Sequence, residues 1–284
     1  MRFLAALLFW LVTTAALAVA VPASWAQTNV VSEDGYASLA ATAAKDPQLQ
    51  EAMARELTTQ ITELAADNGY NLANRELVRG VTSAYTANAG FPGQFAAANR
   101  IAHRWMFTDS VQHDQGSGDR WLVDIAPMLR DDSLRQTLGN LDLDVPETLT
   151  VPITVPESSS LRPGQLRMLS TWGPWLTIGA CVLTGVFALL TLACARSLGK
   201  TLAALGVSAL LVGAAGWAGL EVGRHYIDDA LNKTAGDIRQ VADVMASTAE
   251  ASLHHWLNLT LAAGGALVVF GVVVSMLGGL RRSD

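Results

Sequence analysis

Four uncharged apolar runs constrain this chain more than any other feature. They are Phe3 to Val21, Trp175 to Ala195, Leu202 to Leu220 and Leu257 to Leu280. Each is long enough to cross a bilayer core of ~30 Å as a helix. In lipid every backbone N–H and C=O must be satisfied within the protein, so such runs fold as helices. Only 15% of the residues are charged, against about a quarter in a soluble domain. A wholly soluble chain and a disordered chain are both excluded. The net charge is −6 and no basic run is present, so nucleic acid is not an expected partner. The expected fold class is a mostly α membrane protein: four transmembrane helices, plus an extracytoplasmic, mainly helical domain with one small β element. The lipid bilayer is its first partner.

The first run has a rival reading. Arg2, the apolar stretch and the small-x-small sequence Ser24-Trp25-Ala26 resemble a secretory signal. The run exceeds the usual signal-peptide core of ~7–15 residues, so an uncleaved anchor is expected.

Loop charges set the expected orientation, because Lys and Arg collect on the cytoplasmic side. Arg2, Arg196, Lys200, Arg281 and Arg282 fall on one side, with Asp284 as the single acid there. Both termini are therefore expected in the cytoplasm. The predicted helices cover 3–21, 172–195, 202–220 and 256–280. A large segment, 22–171, and a shorter helical extension, 221–255, are expected outside. Trp25, Trp172, Trp175, Trp217 and Trp256 sit near the outer ends of the runs. Indoles prefer that depth, having an apolar ring and one donor.

The third run carries Gly206, Ala209, Gly213, Gly216 and Gly223, and the fourth Gly264, Gly271, Ser275 and Gly278. Small residues at steps of three, four and seven form a seam that lets helix backbones approach closely in lipid. Packing of the two helices within one chain is expected. Cys181 and Cys194 lie in one run. A helix would hold them roughly 20 Å apart at 1.5 Å per residue, which excludes a bridge between them.

In the large segment Asp46-Pro47 reads as an N-cap and first-turn proline. Leu49, Met53, Leu57, Ile61 and Leu64 follow at helical spacing. Asn68-Gly69 should end that helix and Asn74 cap the next, whose inner face is Leu77, Val81 and Tyr85. Gly90-Phe91-Pro92-Gly93 reads as a chain break before a third helix carrying Phe95, Ala98, Ala102, Trp105 and Met106 inward. Gln115 to Gly118 reads as a turn. Trp121 to Ile125 reads as a strand, and Pro127 to Leu138 as a helix. Leu149 to Val155 alternates as a second strand, which Pro152 confines to an edge or ribbon. The extension shows an apolar stripe of Ile227, Leu231, Ile238, Val241 and Met245, with a turn at Gly236-Asp237. That stripe is expected to cover part of the large domain.

Ser32-Glu33-Asp34-Gly35-Tyr36, Ala44 to Gln50, Ala98 to His103 and Leu122 to Pro127 occur in this order. In these motifs the chain resembles a group of actinobacterial integral membrane proteins of unknown function. They have an N-terminal membrane helix, an extracytoplasmic helical domain and further C-terminal spans. The chain departs from that pattern at Gly35, where a second acid near the tyrosine is usual. The resemblance implies the architecture and an uncleaved first helix, and supplies no catalytic residue.

Two clusters are candidate binding sites. Asn99, Arg100 and His103 lie within one helical turn, and Asp124 follows in the next element. A carboxylate orienting a histidine is a common acid–base arrangement, but no nucleophile with motif context accompanies them. An Arg–Asp or His–Asp pair locking the helix onto the β element is the preferred reading. The second cluster is Glu221, Arg224, His225, His254 and His255. Histidines with a carboxylate can bind zinc, yet adjacent His254 and His255 point about 100° apart on a helix. An interfacial polar cluster is preferred to a metal site. His113 reads as exposed, and the sequon Asn258-Leu259-Thr260 falls inside a span and is discounted. No motif calls for a cofactor.

The leading function is non-enzymatic: a membrane anchor displaying an acidic domain to an envelope component or another membrane or envelope protein. Spans without ionisable groups argue against a pump. The alternative is an envelope-lipid or glycan enzyme, or a lipid-handling accessory, at the outer membrane surface.

Overall fold

The computed structural model describes residues 2–67, 75–108, 121–124, 150–153, 166–195, 197–232 and 236–280. The elements are α1 (Arg2–Ala26), a π-helical turn (Gln27–Val31), α2 (Glu33–Ala43), α3 (Pro47–Asp67), α4 (Arg75–Thr86), α5 (Phe91–Phe107), β1 (Trp121–Asp124), β2 (Thr150–Ile153), α6 (Arg167–Cys194), α7 (Leu198–Leu231) and α8 (Gly236–Leu280). Among the described residues four helices are long and apolar enough to cross a membrane, over Leu4–Val31, Arg167–Cys194, Leu198–Asp229 and Gly236–Leu277. The expected features at Asn68-Gly69, Asn74, His113, Gln115 to Gly118, Pro127 to Leu138 and Arg281 to Asp284 lie outside the described residues, whereas the expected turn residues Gly236-Asp237 are described and begin α8.

The chain divides into two compact units. The first comprises Met1–Val30, Ser170–Tyr226 and Glu250–Asp284, and the second Val31–Leu169 and Ile227–Ala249.

In the first unit every apolar run is helical, but the helices outrun the apolar stretches. α1 continues through Pro22 to Ala26 instead of ending at Val21. Leu198, Gly199 and Lys200 are the first turn of α7, not part of a loop. At 1.5 Å per residue, the 45 residues of α8 reach about 68 Å, well beyond a bilayer core. Cys181 and Cys194 share α6 and are free.

The small-residue seam joins α7 to α8. A Cβ on Gly206 would lie 2.6 Å from the Gly264 carbonyl oxygen, and one on Gly271 would lie 2.4 Å from the Ala203 nitrogen. Gly199 extends the seam, its Cβ position being 2.4 Å from the Ser275 nitrogen. Gly213 and Gly216 instead meet the side chains of Leu261 and Leu257. Gly223, expected in the seam, faces open space. The helices run antiparallel, and each step along α7 is matched by an equal step back along α8.

The second unit has its own core of Ala40, Ala43, Ala44, Leu49, Leu57, Tyr85, Phe91, Phe95 and Val244, with Met53, Val81, Ala98, Val241 and Met245 packed against it. Ser32 caps α2 by accepting the Gly35 N–H. Asp46 Oδ1 accepts the Gln48 N–H at 2.8 Å and opens α3 as its sequence predicts. The expected break before the third helix is present but lies at 87–90, so of the Gly90 to Gly93 stretch only Gly90 belongs to it. Gly90 is the N-cap of α5, Pro92 sits in its first turn, and Phe91 is a core residue, 1% exposed. Its ring meets Tyr85 edge-on at 5.7 Å and lies 5.8 Å from Phe95. β1 and β2 pair antiparallel, Trp121 opposite Ile153 and Leu122 opposite Pro152.

Val241, Val244 and Met245 of α8 belong to this core. Ile227 and Ile238 of the expected stripe are exposed. Arg55 of α3 fastens the start of α8: its Nε donates to Asp237 Oδ1 at 2.6 Å and its Nη2 to Gln240 Oε1 at 2.6 Å. The Asp237 hydrogen bond raises the guanidinium above its ordinary pKa, which keeps that bond charge-assisted. Gly236 opens α8 with φ +74, a left-handed conformation that glycine adopts without steric cost.

Candidate functional site

The first sequence cluster lies in the second unit, on the α2–α5 contact. Asn99, Arg100 and His103 share α5 as expected. Their carboxylate partners come from α2. Arg104 grips Glu33 through both Nε and Nη2, at 2.7–3.1 Å, and Arg100 Nη2 reaches Asp34 Oδ1 at 3.1 Å. Arg100 therefore pairs with Asp34 of α2, while the expected Arg–Asp or His–Asp pair onto the β element falls on the Asp124 side chain, outside the described residues. The acidic first turn of α2 falls opposite the basic residues of α5. Asp124 is in β1, its backbone opposite Thr150. Asn99 Nδ2 donates to the Phe95 carbonyl one turn back at 2.9 Å.

On the same helix His103 is 4% exposed. Phe107 stacks on its ring with centroids 4.1 Å apart, and Tyr36 lies 5.4 Å away. Burial raises the Tyr36 phenol above its ordinary pKa. The Arg104 hydrogen bonds lower the Glu33 carboxyl below its usual value, and the same pairing raises Arg104. The arrangement clamps two helices. It offers a substrate little access to the imidazole.

The second cluster lies in the first unit, on α7 and α8. The antiparallel register set by the glycine seam puts Trp217 and Arg224 of α7 opposite Asn258, His254 and Glu250 of α8. Trp217 Nε1 donates to Asn258 Oδ1 at 3.3 Å. The Trp217 and His254 rings meet edge-on at 3.8 Å. Arg224 Nη1 lies 3.4 Å from Glu250 Oε1, and His254 Nε2 lies 3.8 Å from the same oxygen. The structure therefore brings Arg224 and His254 together through Glu250, a residue sequence reasoning passed over. Glu221, His225 and His255 are exposed, and the ring of His225 lies 6.5 Å from Tyr226. Among the described residues no three His, Cys, Asp or Glu side chains are grouped to hold a metal. Asn258, discounted as a sequon residue, serves as an interhelical acceptor.

Four apolar helices of spanning length place the chain with multi-pass membrane proteins. Comparison with protein-family models, curated proteins and solved structures finds no match for this chain.

Proposed function

We propose that the protein is an integral protein of the cytoplasmic membrane that displays its second unit, with the β1–β2 ribbon, on the extracytoplasmic side. There the unit engages an envelope component or another envelope protein. Both termini are cytoplasmic. The observation that carries this reading is the separation of roles in the chain. One unit holds four apolar helices, while the other has its own core, caps and ion-paired surface. The Lys and Arg of the short connection and the two ends supply the orientation. The uncharged apolar windows support an anchor over a carrier. The burial of His103 between Tyr36 and Phe107 supports display over surface catalysis.

The test is cysteine accessibility in intact cells, with Cys181 and Cys194 replaced by serine. An impermeant maleimide should label Ser38→Cys, in the second unit, and spare Ser197→Cys, between α6 and α7. Labelling of Ser197→Cys with protection of Ser38→Cys would reverse the orientation and end the display reading.

A further inference from the structure

We infer that the rim of the first unit, where α7 and α8 leave the apolar layer, binds one phospholipid headgroup, and that the lipid is zwitterionic with a primary amine, of the phosphatidylethanolamine kind. In this site the phosphate meets Arg224 and the ammonium meets Glu250. The inference rests on groups inside the first unit and requires neither the proposed orientation nor the display role.

The run Leu202 to Leu220 is centred on Leu211, and Arg224 lies 13 residues further on, roughly 20 Å along the helix at 1.5 Å per residue. From the midplane, the hydrocarbon ends at about 15 Å and the headgroup layer at about 20–22 Å. Side chains on a helix lean toward its N-terminus, which on α7 is back toward the apolar layer. The Arg224 guanidinium therefore falls at the level of lipid phosphates. Indoles mark the same rim. Trp217 is one, and Trp25 Nε1 donates to Ser252 Oγ of α8 at 3.2 Å, two residues from both Glu250 and His254.

Within the apolar layer the helices satisfy one another's polar groups. Trp10 Nε1 donates to the Ala204 carbonyl of α7 at 2.9 Å, and the Thr14 and Ser208 hydroxyls meet at 2.8 Å. The rim is more open. The Arg224 side chain is 56% exposed and its Nη1 lies 3.4 Å from Glu250 Oε1, with His254 Nε2 3.8 Å from the same oxygen. Among the described residues these contacts use one nitrogen of the guanidinium and one oxygen of the carboxylate. A guanidinium carries five N–H donors in a planar fork. Nε and Nη2 remain to hold a phosphate, whose oxygens that fork matches bidentately.

Charge selects the headgroup. Glu221, Arg224 and Glu250 formally sum to −1, so a headgroup whose only charge is its phosphate meets two carboxylates for one guanidinium. An ammonium two carbons from the phosphate removes that mismatch. Choline brings the same charge without an N–H and cannot hydrogen-bond to Glu250. Ethanolamine supplies an acceptor for Arg224 and a donor for Glu250 at once.

The test is thermal unfolding of the full chain in one detergent, with phosphatidylethanolamine, phosphatidylcholine or phosphatidylglycerol of the same acyl chains added in equal amounts. Phosphatidylethanolamine should raise the melting temperature most. That increment should vanish in Arg224→Gln and in Glu250→Gln. Exposed ion pairs contribute little to folding, so both variants should remain folded without lipid. Arg224→Lys, which keeps the charge and loses the fork, is a further variant and should lose most of the increment. Equal shifts with the three lipids would show a general lipid annulus and overturn the inference. A largest shift with phosphatidylglycerol or phosphatidylcholine would overturn the choice of headgroup, and a phosphatidylethanolamine increment kept in the variants would overturn the site.

Discussion

Alanine replacements along α7 should sort by what each new methyl group meets. At Gly206 the Cβ would lie 2.6 Å from the Gly264 carbonyl oxygen and 2.7 Å from the Val268 nitrogen. Both are backbone atoms, and neither can turn aside. The helices must separate by most of an ångström to restore contact distance, which weakens packing above and below the site. Overpacking of this kind costs about 1–3 kcal/mol, and Gly206→Ala belongs at the upper end. At Gly213 the nearest atoms are the Leu261 side chain at 2.6 Å. A leucine can change rotamer, so Gly213→Ala should cost about 1 kcal/mol, at the lower end of that range. At Gly219 nothing lies within 4 Å. There alanine relieves the entropic penalty of glycine in a helix, a gain of roughly 0.5–1 kcal/mol. The assay is thermal unfolding of the full chain in one detergent, with all three variants measured side by side. The expected order of stability is Gly219→Ala, wild type, Gly213→Ala, Gly206→Ala. Equal stability of Gly206→Ala and Gly219→Ala would refute the claim that α7 and α8 meet backbone to backbone.

Three further outcomes are expected. Phe91→Ala empties the centre of the second unit and should cost about 3–5 kcal/mol, seen as an early transition in proteolysis or hydrogen exchange confined to α2–α5. The Glu33 carboxyl is held below its ordinary pKa, so its contribution to stability is full above the unfolded value and is lost as pH falls through the folded one. Glu33→Gln should therefore flatten the acid limb of the stability–pH curve, and an unchanged limb would remove the clamp from the account. A fragment 31–169 lacks Val241, Val244 and Met245 of its core. It should self-associate until a peptide covering 236–249 is added, and indifference to the peptide would show that α8 is not part of that core.

The spans were legible because lipid demands long uncharged helices, and nothing else in the chain has that signature. Their ends were not. Glu221 to Leu231 is polar yet helical, because a helix that has left the apolar layer is ended by caps and breakers and not by polarity. Pro22 was taken as an end, yet α1 runs through it. α2 escaped notice because its inward face is Ala37, Ala40 and Ala43 with Leu39, small residues that leave almost no hydrophobic period. Its only advance signal was Ser32 followed by two acids, a cap sequence. Phe91 was misplaced because glycine and proline on either side of it read as a break, when they were the cap and first turn of α5. In the candidate sites the histidines and arginines could be picked out by type. Their partners could not, since Glu33 and Asp34 lie more than sixty residues from Arg100 and Arg104 in the chain. Glu250 becomes the partner of Arg224 only once the seam has fixed the register of α7 against α8.

The contact between Trp10 and Ala204 spans 194 positions of the chain, and synthesis imposes an order on it. At about 5–20 residues per second, roughly 10–40 s separate the emergence of the indole from that of its acceptor. Throughout that interval α1 stands in the bilayer without α7, its indole N–H and Thr14 hydroxyl met by lipid carbonyls, water or a translocation partner. α7 and α8, by contrast, follow one another directly and can zip together as a hairpin while the ribosome finishes. α1 can meet α6 first, through Phe9 and Phe187, and gains its α7 partners only when that hairpin arrives.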